Sequence, residues 1–135
     1  TREKISHSLS MKGKQNNMDE KEKKNETLSF NEYQKEAYDL ISEEGRKNRV
    51  LNGVLGLSGE SGECADIVKK NLFQGHPFPK EHRMEELGDV LWYVAETASG
   101  LGVTLEDVAK YNLDKLHHRY HGNHFNVNDS LHREK

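Results

Sequence analysis

The sequence predicts an all-α fold, a bundle of four helices, and three observations predict it. Apolar residues recur at helical spacing in four separate stretches of the chain. Short breaker segments divide those stretches: Gly75, Pro77 and Pro79 stand between the second and third, and Gly100 and Gly102 between the third and fourth. No stretch alternates apolar and polar residues in the manner of a half-buried strand. "VLNGVLGL" carries β-favouring residues, but its glycines and the helical phase of the residues after it argue for helix.

Each element has its own justification. Ser29 and Glu32 fit a capping box, in which hydroxyl and carboxylate satisfy the free N–H groups of a helix start. Phe30, Tyr33, Ala37, Leu40 and Ile41 follow at helical spacing, so a first helix is expected over 30–46. The second, over 50–72, contains "GLSGESGECADIVKK", with Leu57, Cys64 and Ile67 on an apolar face. Gly53, Gly56, Gly59 and Gly62 recur in it at every third position, each costing about 1 kcal/mol relative to alanine inside a helix. The third, over 80–99, has a stripe of Met84, Leu87, Leu91, Val94, Ala98 and Leu101, ended by Gly100 and Gly102. Thr104 and Asp107 form a capping-box-like start for the fourth, over 105–120. Residues 29–122 therefore read as one helical domain. Residues 1–28 lack aromatic residues and apolar periodicity and are expected to be a disordered or tag-like tail, of which 1–25 are dispensable for folding and turnover; 123–135 are expected to be a polar tail.

Composition narrows the function. A net charge of −3 over 135 residues disfavours a general nucleic-acid binder. No window approaches the roughly 20 apolar residues of a membrane span, and the N-terminus lacks the apolar region of a signal peptide. The single cysteine, Cys64, cannot form an intramolecular disulfide and reads as a small buried hydrophobe. These features lead us to expect a soluble cytoplasmic protein with no nucleic-acid or membrane partner.

The chemistry lies in the acids. Glu60 and Glu63 are three apart on the second helix and share a face; Glu86 and Asp89 repeat that arrangement on the third. Both pairs border apolar stripes. If the two helices pack antiparallel, four carboxylates converge, an arrangement that repulsion and lost hydration forbid without a counter-charge. Oxygen-only ligation suits Mg²⁺, with Mn²⁺ as a substitute. The glycines then let another backbone, or a bulky ligand, come close to the second helix. On the fourth helix Asn112, Lys115 and Arg119 stand on one face, and a cationic and amide face beside a metal–carboxylate cluster suits polyphosphate.

"GLSGESGECADIVKKNLFQGH" followed by "EELGDVLWYVA" resembles the MazG-like all-α nucleoside triphosphate pyrophosphohydrolases. Their signature is E-x-x-E, a spacer, then E-x-x-D; here Glu60 and Glu63 are followed, after 22 intervening residues, by Glu86 and Asp89. "NLDKLHHRYHGNHF" is similar to the family's closing helix, with His121 where many relatives carry proline. The likeness covers residues 30–125. It implies hydrolysis of a nucleoside triphosphate, possibly a deoxynucleotide, between the α- and β-phosphates. The products would be a monophosphate and pyrophosphate, in the service of nucleotide-pool house-cleaning. It implies Glu60, Glu63, Glu86 and Asp89 as catalytic metal ligands, with Lys70, Asn112, Lys115, Arg119 and Tyr120 holding phosphates. Phe30, Trp92 and Tyr93 are candidates for a partly apolar base pocket. The apolar arc of the third helix, widened by Val90, Tyr93 and Val94, and the resemblance together predict a homodimer or a dimer of dimers.

Two rival readings are a ferritin-like di-metal bundle and a non-catalytic helical regulatory module. The first wants E-x-x-H, and neither Glu60 nor Glu86 has histidine three positions on. The second is weakened by the presence of all four acids. His117, His118, His121 and His124 lack regular ligand spacing and read as solvated side chains.

Overall fold

A computed structural model describes residues 27–132. The expected N-terminal tail lies, apart from its last two residues, outside the described segment. Among the described residues there are six helices and no strand: α1 Phe30–Ala37, α2 Glu43–Lys47, α3 Arg49–Gln74, α4 Lys80–Leu101, α5 Leu105–Arg119 and α6 Val127–Leu131.

The expected first helix is two helices. The first ends at Ala37, and Ser42 starts α2, its hydroxyl accepting from the Gly45 N–H. The carbonyls exposed at the break are capped by arginines from downstream: Arg46 donates to the Asp39 carbonyl at 2.9 Å and Arg49 to the Tyr38 carbonyl at 3.1 Å. The capping boxes at Ser29 and Thr104 form as the sequence predicts. The third predicted helix runs through Gly100; Gly102, at φ 72°, is the residue that ends it. Gly75, at φ 68°, ends α3 likewise. These two positions need the left-handed conformation that glycine adopts without a Cβ penalty. The segment expected as a polar C-terminal tail carries α6, and Phe125 within it lies 5.7 Å from the Tyr120 ring, centroid to centroid.

The long helices α3 and α4 form an antiparallel hairpin. A Cβ placed on Gly53 would sit 2.3 Å from Thr97 Oγ1, and one on Gly56 only 2.0 Å from the Tyr93 ring. Near the far end, Cys64 shares a recess with Leu87 and Arg83. Across the top of this pair Arg49 of α3 donates to both carboxylate oxygens of Glu96 on α4, at 2.9 and 3.0 Å. The guanidinium also lies 3.8 Å above the Tyr38 ring. α1 and α5 pack against α4 and each other. Gln34 ties them together: its amide nitrogen donates to Ser99 Oγ and the Val103 carbonyl, and its oxygen accepts from Leu105 N–H at 2.7 Å.

The buried apolar side chains among the described residues are Ala37, Ile41, Ile67, Ala95, Ala98 and Leu105. The predicted stripe on α4 is mostly not among them. Ala98 is buried, but Met84, Leu87 and Leu101 are about 60% exposed (60%, 61% and 62%).

Candidate functional site

Two helices supply the acids. One carboxylate oxygen from each of Glu60, Glu86 and Asp89 lies within 4.8 Å of the others. Glu60 and Glu86 are half-buried and Asp89 is exposed. Partial burial, then the negative charges of Asp89, Glu86 and Glu63, push the Glu60 carboxyl above its ordinary value. That is the signature of like charges sharing one site. The cluster contains three of the four predicted acids. Glu63 is solvent-exposed and not among the three, although its charge still reaches Glu60. The E-x-x-E spacing turns the helix by about 300°, so the two acids are neighbours on one side without aiming at one point.

The glycines divide into two kinds. Gly53 and Gly56 are where α4 comes close, at Thr97 and Tyr93. A Cβ on Gly59 or Gly62, beside the acids, would meet nothing within 4 Å. Only the first two therefore have the role of close helix packing in this chain, and the second two leave clearance on the acidic stretch of α3.

The predicted phosphate-holding residues fall in three places. Lys70 is half-buried on α3 and its ammonium is 2.5 Å from Asp66. Asp66, then the Glu63 charge, raise the Lys70 pKa above its ordinary value. Asn112 and Lys115 line a separate recess of about 390 Å³ with Phe30, Leu91, Val94 and Tyr111. Arg119 and Tyr120 stand at the end of α5, where Tyr120 meets Phe125. α5 packs on α1 and α4, and neither Lys115 nor Arg119 is among the charges that act on Glu60.

Of the predicted base-pocket aromatics, Tyr93 is packed against Gly56 and meets Trp92 edge to face at 4.9 Å. Phe30 is 53% exposed at the α5 recess. Cys64, expected to be buried, is half-buried on the wall of a recess.

Several neighbours of the site had no place in the sequence reading. Tyr33 of α1 lies close enough to Asp89 that partial burial, then the Asp89 charge, raise its hydroxyl pKa. His82 Nδ1 is 3.8 Å from Glu86. Asp66 holds both Lys69 and Lys70, which pull its carboxyl down to about 2. The Asp66–Lys70 spacing of four was a readable helix pair. Tyr33 and Asp89 are 56 positions apart, a distance no local pattern spans.

Comparison with known proteins identifies the family. Residues 50–124 match the family model described as MazG nucleotide pyrophosphohydrolase domain. The chain is also similar to "Gene 37 protein" of Mycobacterium phage L5, 46% identical over 69 residues. That match covers 48% of this chain and 60% of the phage protein's length. No solved structure matches the chain.

Proposed function

The chain belongs to the family of MazG nucleotide pyrophosphohydrolase domains, and from that premise we propose that it hydrolyses a nucleoside triphosphate between the α- and β-phosphates. The products are a monophosphate and pyrophosphate. The observation that carries this reading is the meeting of Glu60, Glu86 and Asp89 oxygens from two helices within 4.8 Å. The donor set contains carboxylate oxygens and no thiol or imidazole, which fits Mg²⁺ or Mn²⁺. Such an ion, when bound, neutralises phosphate charge and lowers the pKa of attacking water. Glu60, Glu86 and Asp89 would hold it, with Glu63 at the edge.

The chain's own residues then have distinct tasks. Lys70, kept in place by Asp66, supplies a fixed cation next to the acids, suited to charge that develops on leaving pyrophosphate. Tyr33 offers a hydroxyl donor on the Asp89 side. Asn112, Lys115, Arg119 and Tyr120 hold phosphates in an assembled oligomer. The exposure of Leu51 and Leu55 on α3 and of Leu101 on α4 supports a homodimer or a dimer of dimers, in which a second copy covers that end of the hairpin. No described helix is long and apolar enough to cross a membrane. A cytoplasmic role in clearing the nucleotide pool, on an all-helical domain over 29–122, fits this reading.

Incubation of the full chain with a panel of ribo- and deoxyribonucleoside triphosphates and Mg²⁺ tests the reading. We expect pyrophosphate release that chelation abolishes. Release of inorganic phosphate alone, or no turnover of any triphosphate, would overturn it. Light scattering at micromolar concentration tests the assembly, and a fully active monomer of about 15.5 kDa contradicts it.

A further inference from the structure

We propose that the apolar recess beside Glu86, between the C-terminal half of α3 and the start of α4, receives the nucleobase of the substrate. The inference rests on the pyrophosphohydrolase reading and adds a specificity site to it. The recess has a volume of about 170 Å³, and its walls include Cys64, Ile67, Phe78, Arg83, Glu86 and Leu87. Glu86 belongs to both the recess and the acid cluster, so the two are continuous. Ile67 lies seven residues beyond Glu60, about 10 Å along the helix axis. That is roughly the reach from the phosphates of a nucleotide to its base.

Charge selects the occupant. Phosphates belong with the metal that the acid cluster would hold, and the apolar walls of the recess do not solvate them. The uncharged end of the nucleotide remains, and of its two parts the base is the one with flat apolar faces and a polar edge. The walls match that shape. The Arg83 guanidinium lies 4.1 Å from the Phe78 ring centroid, forming a stacked pair of flat groups. Aromatic rings and guanidinium planes both stack on bases, and arginine brings N–H donors for a base edge. The pair is preorganised: Pro77 and Pro79 flank Phe78, and Arg83 Nε donates to the Pro79 carbonyl at 3.4 Å.

The only cysteine of the chain reports from this wall. Alkylation of the full chain by N-ethylmaleimide is measured with Mg²⁺ and each common ribo- or deoxyribonucleoside monophosphate in turn, and with inorganic tripolyphosphate. We expect at least one monophosphate to slow Cys64 alkylation about fivefold or more and tripolyphosphate to leave it unchanged. Equal protection by tripolyphosphate, or no protection by any nucleotide, would overturn the inference. Turnover of the triphosphate panel by the unmodified chain is measured in parallel. Turnover without protection sinks the recess alone; protection without turnover sinks the hydrolysis reading and leaves the recess standing as a nucleotide site. Where turnover is present, Phe78→Ala is expected to raise KM about fivefold or more with kcat nearly unchanged, in line with the loss of one base stack. An unchanged KM in a variant with native helical circular dichroism overturns the assignment.

Discussion

The two ends of the α3–α4 hairpin are built from the same kinds of residue and do opposite things. At one end Gly53 and Gly56 bring the helices together, and a glutamate, Glu96, is 1% exposed and paired with Arg49. At the other end a Cβ on Gly59 or Gly62 would meet nothing within 4 Å, and oxygens of Glu60, Glu86 and Asp89 lie within 4.8 Å of one another. The sealed end neutralises its acid within the chain. The open end keeps like charges together, which raises the Glu60 pKa and leaves a demand for a counter-ion. The difference teaches that the same residue type is neutralised within the chain where arginine meets it and stays a cluster of like charges where the two helices leave it open.

Removing the answer at the sealed end has the largest expected effect. Glu96→Ala strands a guanidinium that is 9% exposed, and breaking a buried pair costs about 3–5 kcal/mol. Chemical denaturation should register the loss, and a change under about 1 kcal/mol would contradict the account. At the open end Asp89→Asn should lower turnover more than about 100-fold, since even outer partners of a metal ligand are worth about 10–100-fold. Its melting temperature without metal should hold or rise, because repulsion is relieved. Glu63→Gln should cost activity by a smaller factor, measured in the same pyrophosphate assay.

The glycines sharpen the contrast further. Gly53→Ala forces a Cβ to within 2.9 Å of the Thr97 backbone nitrogen, so the helices must part. Overpacking of this kind costs about 1–3 kcal/mol. Gly59→Ala meets no atom and should stabilise the monomeric unit by up to about 1 kcal/mol through helix propensity. If Gly59→Ala destabilises instead, a second copy packs there.

The smallest effect concerns Asp66. Lys69 first, then Lys70, hold its carboxyl at about 2, below the ordinary 3.8. A depressed acid stabilises the fold above its unfolded pKa and loses that contribution as pH falls through the folded value. The window is therefore about pH 4 down to pH 2. Carboxyl chemical shifts should titrate Asp66 near 2 in the native chain. In Lys69→Ala with Lys70→Ala, its midpoint should return toward 3.8.

The sequence by itself determined the all-helical class, the caps at Ser29 and Thr104, the hairpin loop around Gly75 and Pro77, and the pairing of E-x-x-E with E-x-x-D. All of these are local: caps, breakers and helical phase act within about one or two turns. Tertiary structure decided the rest. It broke the first helix after Ala37, where Arg46 and Arg49 reach back to the Asp39 and Tyr38 carbonyls that a continuous helix would have used itself. It brought Asp89 to Glu60 and Glu86, left Glu63 outside, and set Tyr33 beside Asp89. It also sorted four glycines of identical spacing into two that pack and two that do not. The physical reason is that an interval of three says which side of α3 a residue occupies, and only the antiparallel partner helix determines whether that side is covered at that height.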